Sequence, residues 1–200
     1  GEVLYTNKEG ISRVAHLENQ PIVGGDLATY YPLRIAAGIL HKQLDVSDWL
    51  MSKSKFLPHG TKEAELIIAQ LNKGNVQTTT SCGRVLDAVS AMLEICYERT
   101  YEGEPAMKLE STANKGKNKL NLVPKVDGNV LDTTFLVNQI FENKNKYSVA
   151  DLACSAQTYL GRGLAELAVE EAAKRKVKYI GFSGGVAYNE HITETIKKTV

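Results

Sequence analysis

The sequence lacks most of the features that mark a specialised class of protein. Its 200 residues include three cysteines, Cys82, Cys96 and Cys154, which are far apart and form no Cys-x-x-Cys pair. This spacing argues against a structural zinc site and against a disulfide framework. The four histidines show no metal-ligand spacing either. We therefore expect reduced and mostly buried thiols.

The chain also lacks an excess of charge and a long apolar run. It has 24 basic and 23 acidic residues, so no global field favours nucleic acid or an anionic membrane, and any phosphate has to be held by local groups. No apolar run approaches the roughly 20 residues that cross a bilayer. The first residues do not have the pattern of a signal peptide. These absences predict a cytoplasmic protein without a membrane or nucleic-acid partner.

Two common catalytic motifs are missing as well. There is no Walker-type Gly-x-x-x-x-Gly-Lys-Ser/Thr and no Gly-x-Ser-x-Gly elbow, which excludes common P-loop and α/β-hydrolase chemistry. An initiator Met is absent, the first residues resemble a strand, and the last resemble an unfinished helix. We expect residues 1–200 to be a piece of a longer protein. The hydrophobic content of 43% is nevertheless sufficient for a globular domain with a substantial core.

Most of the chain has helical periodicity. Apolar residues recur at three- and four-residue spacing, which predicts a mixed α/β fold that is rich in helix. Thr61 is the expected N-cap of the third helix, and Ser148 that of the longest. The predicted helices cover about residues 31–44, a short stretch at 49–50, and residues 61–74, 83–97, 104–113, 133–141 and 148–174.

Strand patterns are shorter and lie before, between and after these helices. Residues 2–6 and 11–17 alternate around the turn residues 7–10 and predict a hairpin. Two more short strands are expected at 120–124 and 128–131. A final strand is expected from Val177, leading through a turn into a last helix.

The stretch Ser81–Val89 places a carboxylate on an apolar helix. Asp87 lies near the edge of the apolar face, where an unpaired carboxylate is costly, so it has to be paired, bound to a metal or facing a ligand cavity. Arg84 lies three residues earlier and is a possible partner in a structural ion pair. The residues alone favour that ion pair slightly over a ligand contact.

A second candidate site follows the last predicted strand. Ser183, Gly184 and Gly185 form a turn in which a ligand can approach the main chain without meeting a Cβ, and the next helix offers free N–H donors. A phosphate or a ribose is the natural ligand. Two glycines also serve turn geometry alone, and spacing does not separate the two interpretations. Asn189, expected in the first turn of that helix, either contacts a nucleotide or caps the helix.

As a set, the motifs of this chain resemble the C-terminal carbamoyltransferase region of the HypF family of hydrogenase maturation proteins. The resemblance covers nearly all 200 residues. It implies part of an actin-like, Hsp70-like and sugar-kinase-like fold with ribonuclease-H-like lobes, related to the tRNA threonylcarbamoyladenosine synthases. The residues that carry it are Arg13–Glu18, Gly24–Ala28, Pro32–Arg34, Ser81–Val89, Tyr101–Met107 and Ser183–Val186.

The resemblance implies a reaction and a partner. Carbamoyl phosphate and ATP give a carbamoyl-adenylate, whose carbamoyl group passes to the C-terminal cysteine of the protein HypE, for synthesis of the cyanide ligand of nickel-iron hydrogenase. ATP and Mg²⁺, or another divalent metal, are implied for the complete domain. By the same resemblance Asp87 would contact the ribose, the turn Ser183–Gly185 would approach the phosphates or adenosine, and Asn189 would add a polar contact. No catalytic residue is assigned.

Several positions depart from the family pattern. Glu102 and Glu104 stand where the tRNA-modifying relatives carry glycines, which favours the hydrogenase branch, and Gln157 stands where many relatives carry a His. The family's metal ligands are missing from this chain. We therefore expect a fragment that keeps part of a nucleotide pocket but lacks the complete reaction. The alternatives are threonylcarbamoyl transfer to tRNA and a non-catalytic module that docks HypE.

Overall fold

The computed structural model describes residues 1–200, and its first strands form the predicted hairpin. Strand β1 (Glu2–Asn7) pairs antiparallel with β2 (Gly10–Leu17), with Glu2 opposite His16 and Asn7 opposite Gly10. The side-chain oxygen of Asn7 accepts the backbone N–H groups of Glu9 and Gly10 and so closes the turn. The turn chemistry recognised in the sequence therefore determines this hairpin.

Two short strands complete the main sheet. Strands β5 (Val126–Asp127) and β6 (Val130–Leu131) extend it in the order β1-β2-β6-β5, with β6 parallel to β2. A separate two-stranded sheet joins β3 (Gln20–Ile22) to β4 (Gln77–Thr79), which no sequence pattern indicated. Strand β1 has a paired neighbour on one side only, so its other edge is open.

Nine α-helices surround the sheets. The sequence did not predict the short first helix, whereas each later helix overlaps a predicted one. Their bounds are α1 Leu27–Tyr30, α2 Leu33–His41, α3 Ser47–Ser52, α4 Gly60–Lys73, α5 Cys82–Met92, α6 Glu104–Ala113, α7 Thr133–Asn143, α8 Val149–Arg175 and α9 Glu190–Thr199. The predicted helix-rich α/β fold is thus confirmed. No helix combines the length and the apolar character needed to span a bilayer.

One hydrophobic core of 40 buried residues joins these elements, with α2 and α5 at its centre. Every side chain of α2 from Leu33 to Leu40 is buried. Helix α8 approaches its neighbours closely because it carries glycines at the contacts. A Cβ on Gly161 would lie 3.1 Å from the carbonyl oxygen of Ile192 in α9, and a Cβ on Gly163 would meet Leu131 of β6. These glycines set the distance of α8 from both the sheet and α9.

The ends of three helices show which capping predictions were right. Ser148 caps α8 as predicted, since its Oγ accepts the N–H of Asp151 at 3.1 Å. Thr61 does not cap α4, which begins at Gly60; instead the Glu63 carboxylate reaches back to accept the N–H of His59. Helix α5 ends at Met92 rather than near Tyr97, because the chain turns at Glu94, whose φ is +62°.

The predicted strand at 120–124 is wrong. This stretch belongs to a segment without regular secondary structure, residues 117–125, that lies along α8 and that we call the strap. Its backbone donates to side chains rather than to a neighbouring strand. Three of these bonds reach α8: Lys117 N–H to Asp151 Oδ1 at 2.8 Å, Leu120 N–H to Ser155 Oγ at 3.2 Å and Lys125 N–H to the Tyr159 hydroxyl at 3.0 Å. These acceptors follow one another at four-residue spacing, so they lie on one face of the helix.

The strand predicted from Val177 is also absent. Residues 178–183, which we call the open segment, make no hydrogen bond and are all exposed. The sequence has the right residue types for a strand, but a strand is stable only when its backbone groups pair with another one. Here no neighbouring strand is in place.

Candidate functional site

The turn that follows the open segment is shaped by one glycine. Gly184 has φ +96°, a conformation that residues with a Cβ rarely adopt. A single 3₁₀ turn then runs from Gly185 to Tyr188, rather than the helix that the sequence predicted directly after the glycines. Ser183, Gly184 and Gly185 are exposed, and a Cβ on either glycine would meet no atom within 4 Å. The main chain of this turn is therefore open to a ligand.

This turn borders a large cavity of about 610 Å³. The cavity is also lined by β1, by residues 81–83 at the start of α5, and by mostly apolar residues of α8 and α9. Helix α5 presents its N-terminal end here, where backbone N–H groups and the helix dipole favour an anion. The structure thus brings together two groups of backbone donors that are far apart in sequence, the turn Ser183–Gly185 and the start of α5.

Residues 81–83 were missed as site residues by the sequence analysis, although their motif was recognised. In this motif Asp87 is the acidic residue on an otherwise apolar helix face, which makes it a more visible signal in the sequence than residues 81–83. The available signal was the N-cap: Ser81 precedes the helix, and its Oγ accepts the N–H of Arg84 at 3.4 Å. A capped helix start is a potential anion site only when something else faces it, and the sequence does not reveal that.

Asp87 lies deeper on α5 and does not line the cavity. It is fully buried rather than at the edge of the apolar face. Arg84 Nη2 lies 2.9 Å from Asp87 Oδ2, so the ion-pair alternative is present. Neither carboxylate oxygen has a well-aligned hydrogen bond. Burial raises the pKa of Asp87 to about 6, against the opposing effect of the Arg84 and Arg99 guanidinium groups.

Asn189 is the N-cap of α9 rather than a residue within its first turn. Its Oδ1 accepts the N–H of Ile192 at 2.8 Å, and its side chain is buried away from the cavity. The structure therefore contains the helix-capping bond that the sequence offered as the alternative to a nucleotide contact. Of the five candidate residues, the structure places Ser183, Gly184 and Gly185 on one surface and leaves Asp87 and Asn189 apart from it. Nucleotide contacts by these residues stay predictions.

Of the two carboxylates in the Glu102–Glu104 turn, one is exposed to solvent and the other is buried. Glu102 is 84% exposed, but Glu104 is buried at the start of α6. Its Oε2 accepts the N–H and the hydroxyl of Thr100 at 2.6 and 2.8 Å, while Oε1 pairs with Lys108 at 2.7 Å. Lys108 and Thr100 together lower the pKa of Glu104 to about 2. Glu104 therefore holds the turn in shape and is an anion at neutral pH.

Potential metal ligands do not cluster in this structure. No three His, Cys, Asp or Glu side chains come together in an arrangement that could hold one. Cys154 and His191 are close, with Sγ 3.8 Å from Nε2, and Thr158 Oγ1 lies 3.0 Å from the same nitrogen. Burial raises the pKa of Cys154 and lowers that of His191, so both are neutral near pH 7. This pair is therefore not an activated nucleophile.

Comparison with known protein families gives a match over the whole chain. Residues 1–200 match the family model described as the carbamoyltransferase, Kae1-like domain, second subdomain. The probable carbamoyltransferase HypF of Methanocaldococcus jannaschii is 44% identical over 203 aligned residues, which cover 98% of this chain and 26% of that protein. The chain thus spans about a quarter of the length of this relative.

Two solved structures share the fold. The crystal structure of HypF from T. kodakarensis has a TM-score of 0.90 and 43% identity, covering all of this chain and 27% of that one. A second structure, full-length HypF in a phosphate- and nucleotide-bound form, has a TM-score of 0.85 and 22% identity over 99% of this chain and 26% of the other. The fold described above is therefore the fold of the corresponding region in these proteins.

Proposed function

The chain belongs to the HypF family of carbamoyltransferases, and we propose that residues 1–200 form one part of an ATP-dependent transferase domain that moves a carbamoyl group to the C-terminal cysteine of HypE. In this proposal the chain provides part of a nucleotide pocket, and the whole reaction needs flanking parts of the domain. The observation that carries the proposal is the family match over all 200 residues. The product would be the precursor of the cyanide ligand of nickel-iron hydrogenase.

The exposed backbone donors of the cavity support a nucleotide as ligand. The turn Ser183–Gly185 and the N-terminal end of α5 face the same space, and both suit phosphate oxygens. A HypF with the same fold was solved with phosphate and nucleotide bound, which is in keeping with this placement. Asp87 and Asn189 do not line this cavity, so a contact between either side chain and the nucleotide stays a prediction from the family resemblance.

Transfer from carbamoyl phosphate through a carbamoyl-adenylate needs a positioned nucleotide more than a strong base. Backbone N–H groups in a fixed turn provide that positioning and stabilise developing negative charge on phosphate oxygens. Binding of ATP supplies the adenylyl group that activates the carbamoyl carbon. These residues contain no cluster of three His, Cys, Asp or Glu side chains that could hold a metal, so we assign no step to Mg²⁺.

The acceptor thiol has to come from another protein in this scheme. All three cysteines of the chain are buried. Burial raises the pKa of Cys96 and of Cys154, and raises that of Cys82 to about 11. A thiol held in its protonated form is a poor nucleophile. The chain's own cysteines are thus unsuited to receive the carbamoyl group, which is in keeping with an external cysteine such as that of HypE.

Calorimetric titration with ATP and Mg²⁺ tests the nucleotide site, with two glycine variants as a matched pair. Gly185→Val places a branched side chain at the turn, whereas Gly181→Val places it four residues earlier. A Cβ at either glycine meets no atom within 4 Å, so both variants should fold. We expect Gly185→Val to weaken ATP binding at least about tenfold, a loss of about 1.4 kcal/mol, and Gly181→Val to leave it unchanged. Equal affinities for the two variants, or no binding by the folded wild-type chain, would contradict the assignment.

Binding of HypE, ATP and tRNA by the same protein distinguishes the two alternative functions, a docking module and a threonylcarbamoyl transferase. A chain that binds HypE but shows no affinity for ATP would be a docking module. A chain that binds tRNA in preference to HypE would belong with the threonylcarbamoyl transferases. The net charge of +1 argues against the second outcome, because RNA binding draws much of its affinity from basic groups.

A further inference from the structure

We propose that Glu18 and Asp132 form a carboxyl pair that shares one proton and makes the start of α7 a pH-sensitive joint. Glu18 follows β2, while Asp132 follows β6 and is the N-cap of α7. Neither residue lines the cavity beside Ser183–Gly185, so the joint is separate from the proposed nucleotide site. In the protonated pair one carboxyl group donates its O–H to the other, and loss of that proton leaves two negative charges side by side.

The two carboxylates accept consecutive N–H groups of one helix start. Oε2 of Glu18 accepts the N–H of Thr134 at 2.9 Å, and Oδ1 of Asp132 accepts that of Phe135 at 2.6 Å. The free N–H groups of a helix start all point toward its N-terminal end, so the acceptors of two consecutive groups lie next to each other. A helix start favours negative charge, but two full charges at such close range repel each other.

Backbone hydrogen bonds keep the two residues together. The N–H of Glu18 donates to the carbonyl oxygen of Leu131 at 2.9 Å, which ties the end of β2 to the residue before Asp132. The N–H of Asp132 donates to the carbonyl oxygen of Lys125 at 2.8 Å. The Tyr159 hydroxyl donates to the carbonyl oxygen of Asp132 at 2.7 Å. These bonds restrict how far the carboxylates can move apart, so a shared proton is an effective way to relieve their repulsion.

Glu18 is the member of the pair that stays ionised. It forms an ion pair with Lys42 of α2, whose Nζ also donates to the carbonyl oxygen of Asn19 at 3.2 Å. Its Oε2 accepts an N–H of the Gln20 side chain at 3.0 Å as well. Burial raises the pKa of Glu18, but the hydrogen bonds from Lys42 and Thr134 outweigh burial and leave this pKa below its ordinary value.

Asp132 is the member that holds the proton. Lys125 faces it from the strap without forming an ion pair, since its Nζ lies over the Phe135 ring, 3.7 Å from the ring centre. Tyr159 of α8 faces the pair as a neutral phenol, because burial raises its pKa. Burial and the neighbouring Glu18 carboxylate raise the pKa of Asp132, against the opposing effect of its backbone hydrogen bond.

The raised pKa of Asp132 determines the direction of the pH dependence. A carboxyl group whose pKa is higher in the folded than in the unfolded protein stabilises the fold while it is protonated, and that contribution is lost as the pH rises through the folded pKa. We expect the start of α7 to be held most tightly in mildly acidic solution and to loosen toward neutral pH. Asp151, whose pKa folding lowers, has the opposite dependence.

Thermal unfolding of an amide variant tests the pair at neutral and at mildly acidic pH. Asp132→Asn keeps the oxygen that accepts the N–H of Phe135 and adds an N–H that can donate to Glu18, so it mimics the protonated pair. We expect it to raise the melting temperature by about 2 °C at neutral pH and by less in mildly acidic solution. Asp151→Asn is the matched control. It removes a carboxylate that also accepts a backbone N–H but has no carboxylate beside it, so it should lower the melting temperature at neutral pH.

Carbon-13 NMR of the Asp132 carboxyl group measures the proton directly. Its titration midpoint should lie above the ordinary value of about 3.9 in the wild type, and it should fall by about half a pH unit or more in Glu18→Gln, because the like charge is gone. A folded Asp132→Asn protein that is less stable than the wild type at neutral pH, or a midpoint that Glu18→Gln leaves unchanged, would overturn the proposal. If Glu18→Gln does not fold, Glu18→Asp, which withdraws the carboxylate by one methylene, must lower the midpoint. Neither measurement involves ATP, so the result does not depend on the nucleotide assignment.

Discussion

The strap and the open segment are both stretches of chain without a partner strand, yet only the strap is held by hydrogen bonds. The strap donates three backbone N–H groups to side chains of α8 and buries part of Leu120 and Leu122 against the core. The open segment has more strand-forming residues but makes no hydrogen bond. The comparison shows that the position of an extended chain is decided by partners on neighbouring elements more than by its own strand propensity.

The largest expected effect comes from the start of the strap, where it crosses α8 closely. A Cβ on Gly116 would clash with the carbonyl oxygen of Ala150, and backbone atoms on both sides leave little room to move. We expect Gly116→Ala to lower the free energy of unfolding by about 3 kcal/mol, measured by urea denaturation. Gly181→Ala in the open segment is the control, since a Cβ there meets no atom within 4 Å. If both variants behave alike, the strap is not packed on α8.

A smaller effect is expected at the other end of the strap. The hydroxyl of Tyr159, which is 1% exposed, accepts the N–H of Lys125 at 3.0 Å and donates to the carbonyl oxygen of Asp132 at 2.7 Å. Tyr159→Phe leaves both backbone groups without a partner, so we expect a loss of about 2 kcal/mol in the free energy of unfolding.

Tyr179→Phe tests the contrast with Tyr159, because the Tyr179 hydroxyl is exposed and makes no hydrogen bond. We expect it to change stability by less than about 0.5 kcal/mol. Hydrogen exchange at Lys125 should quicken only in Tyr159→Phe. A Tyr159→Phe protein as stable as the wild type would mean that water or another group replaces the hydroxyl.

These two segments also explain what the sequence could and could not predict. Helices were predictable because periodicity and caps such as Ser148 are local signals, and the hairpin was predictable from Asn7 and Gly10. The strap was not, because its acceptors lie about 35 residues later, on another element. The motifs identified the family of the chain, but not that Ser183–Gly185 faces the start of α5. That juxtaposition depends on the packing of α8 and α9, which no local pattern encodes.

The smallest expected effect is a pH dependence of stability at Asp151, the charged side chain that accepts a hydrogen bond from the start of the strap. The N–H of Lys117 and the hydroxyl of Ser148 donate to the Asp151 carboxylate and hold its pKa below the ordinary value of about 3.9. A carboxyl group whose pKa is lowered by folding stabilises the fold above its unfolded pKa, and that contribution is lost as the pH falls through the lowered value. We expect the strap to loosen below about pH 4 in the wild type.

Comparison of Asp151→Asn with Ser155→Ala separates the contribution of the Asp151 carboxylate to the pH dependence of stability from the contributions of the other carboxylates. Asp151→Asn keeps an oxygen for Lys117 but removes the titrating group, so its stability relative to wild type should recover as the pH falls from 5 toward 2. Ser155→Ala weakens the neighbouring anchor, whose Oγ accepts the N–H of Leu120, without changing any charge. Its difference from wild type should therefore stay constant over the same range. A constant difference for Asp151→Asn as well would show that Lys117 is held by the geometry of the helix start and not by the charge of the carboxylate. Neutral hydrogen bonds would then hold the strap along its whole length. The open segment would differ from the strap only in that it makes no such bonds.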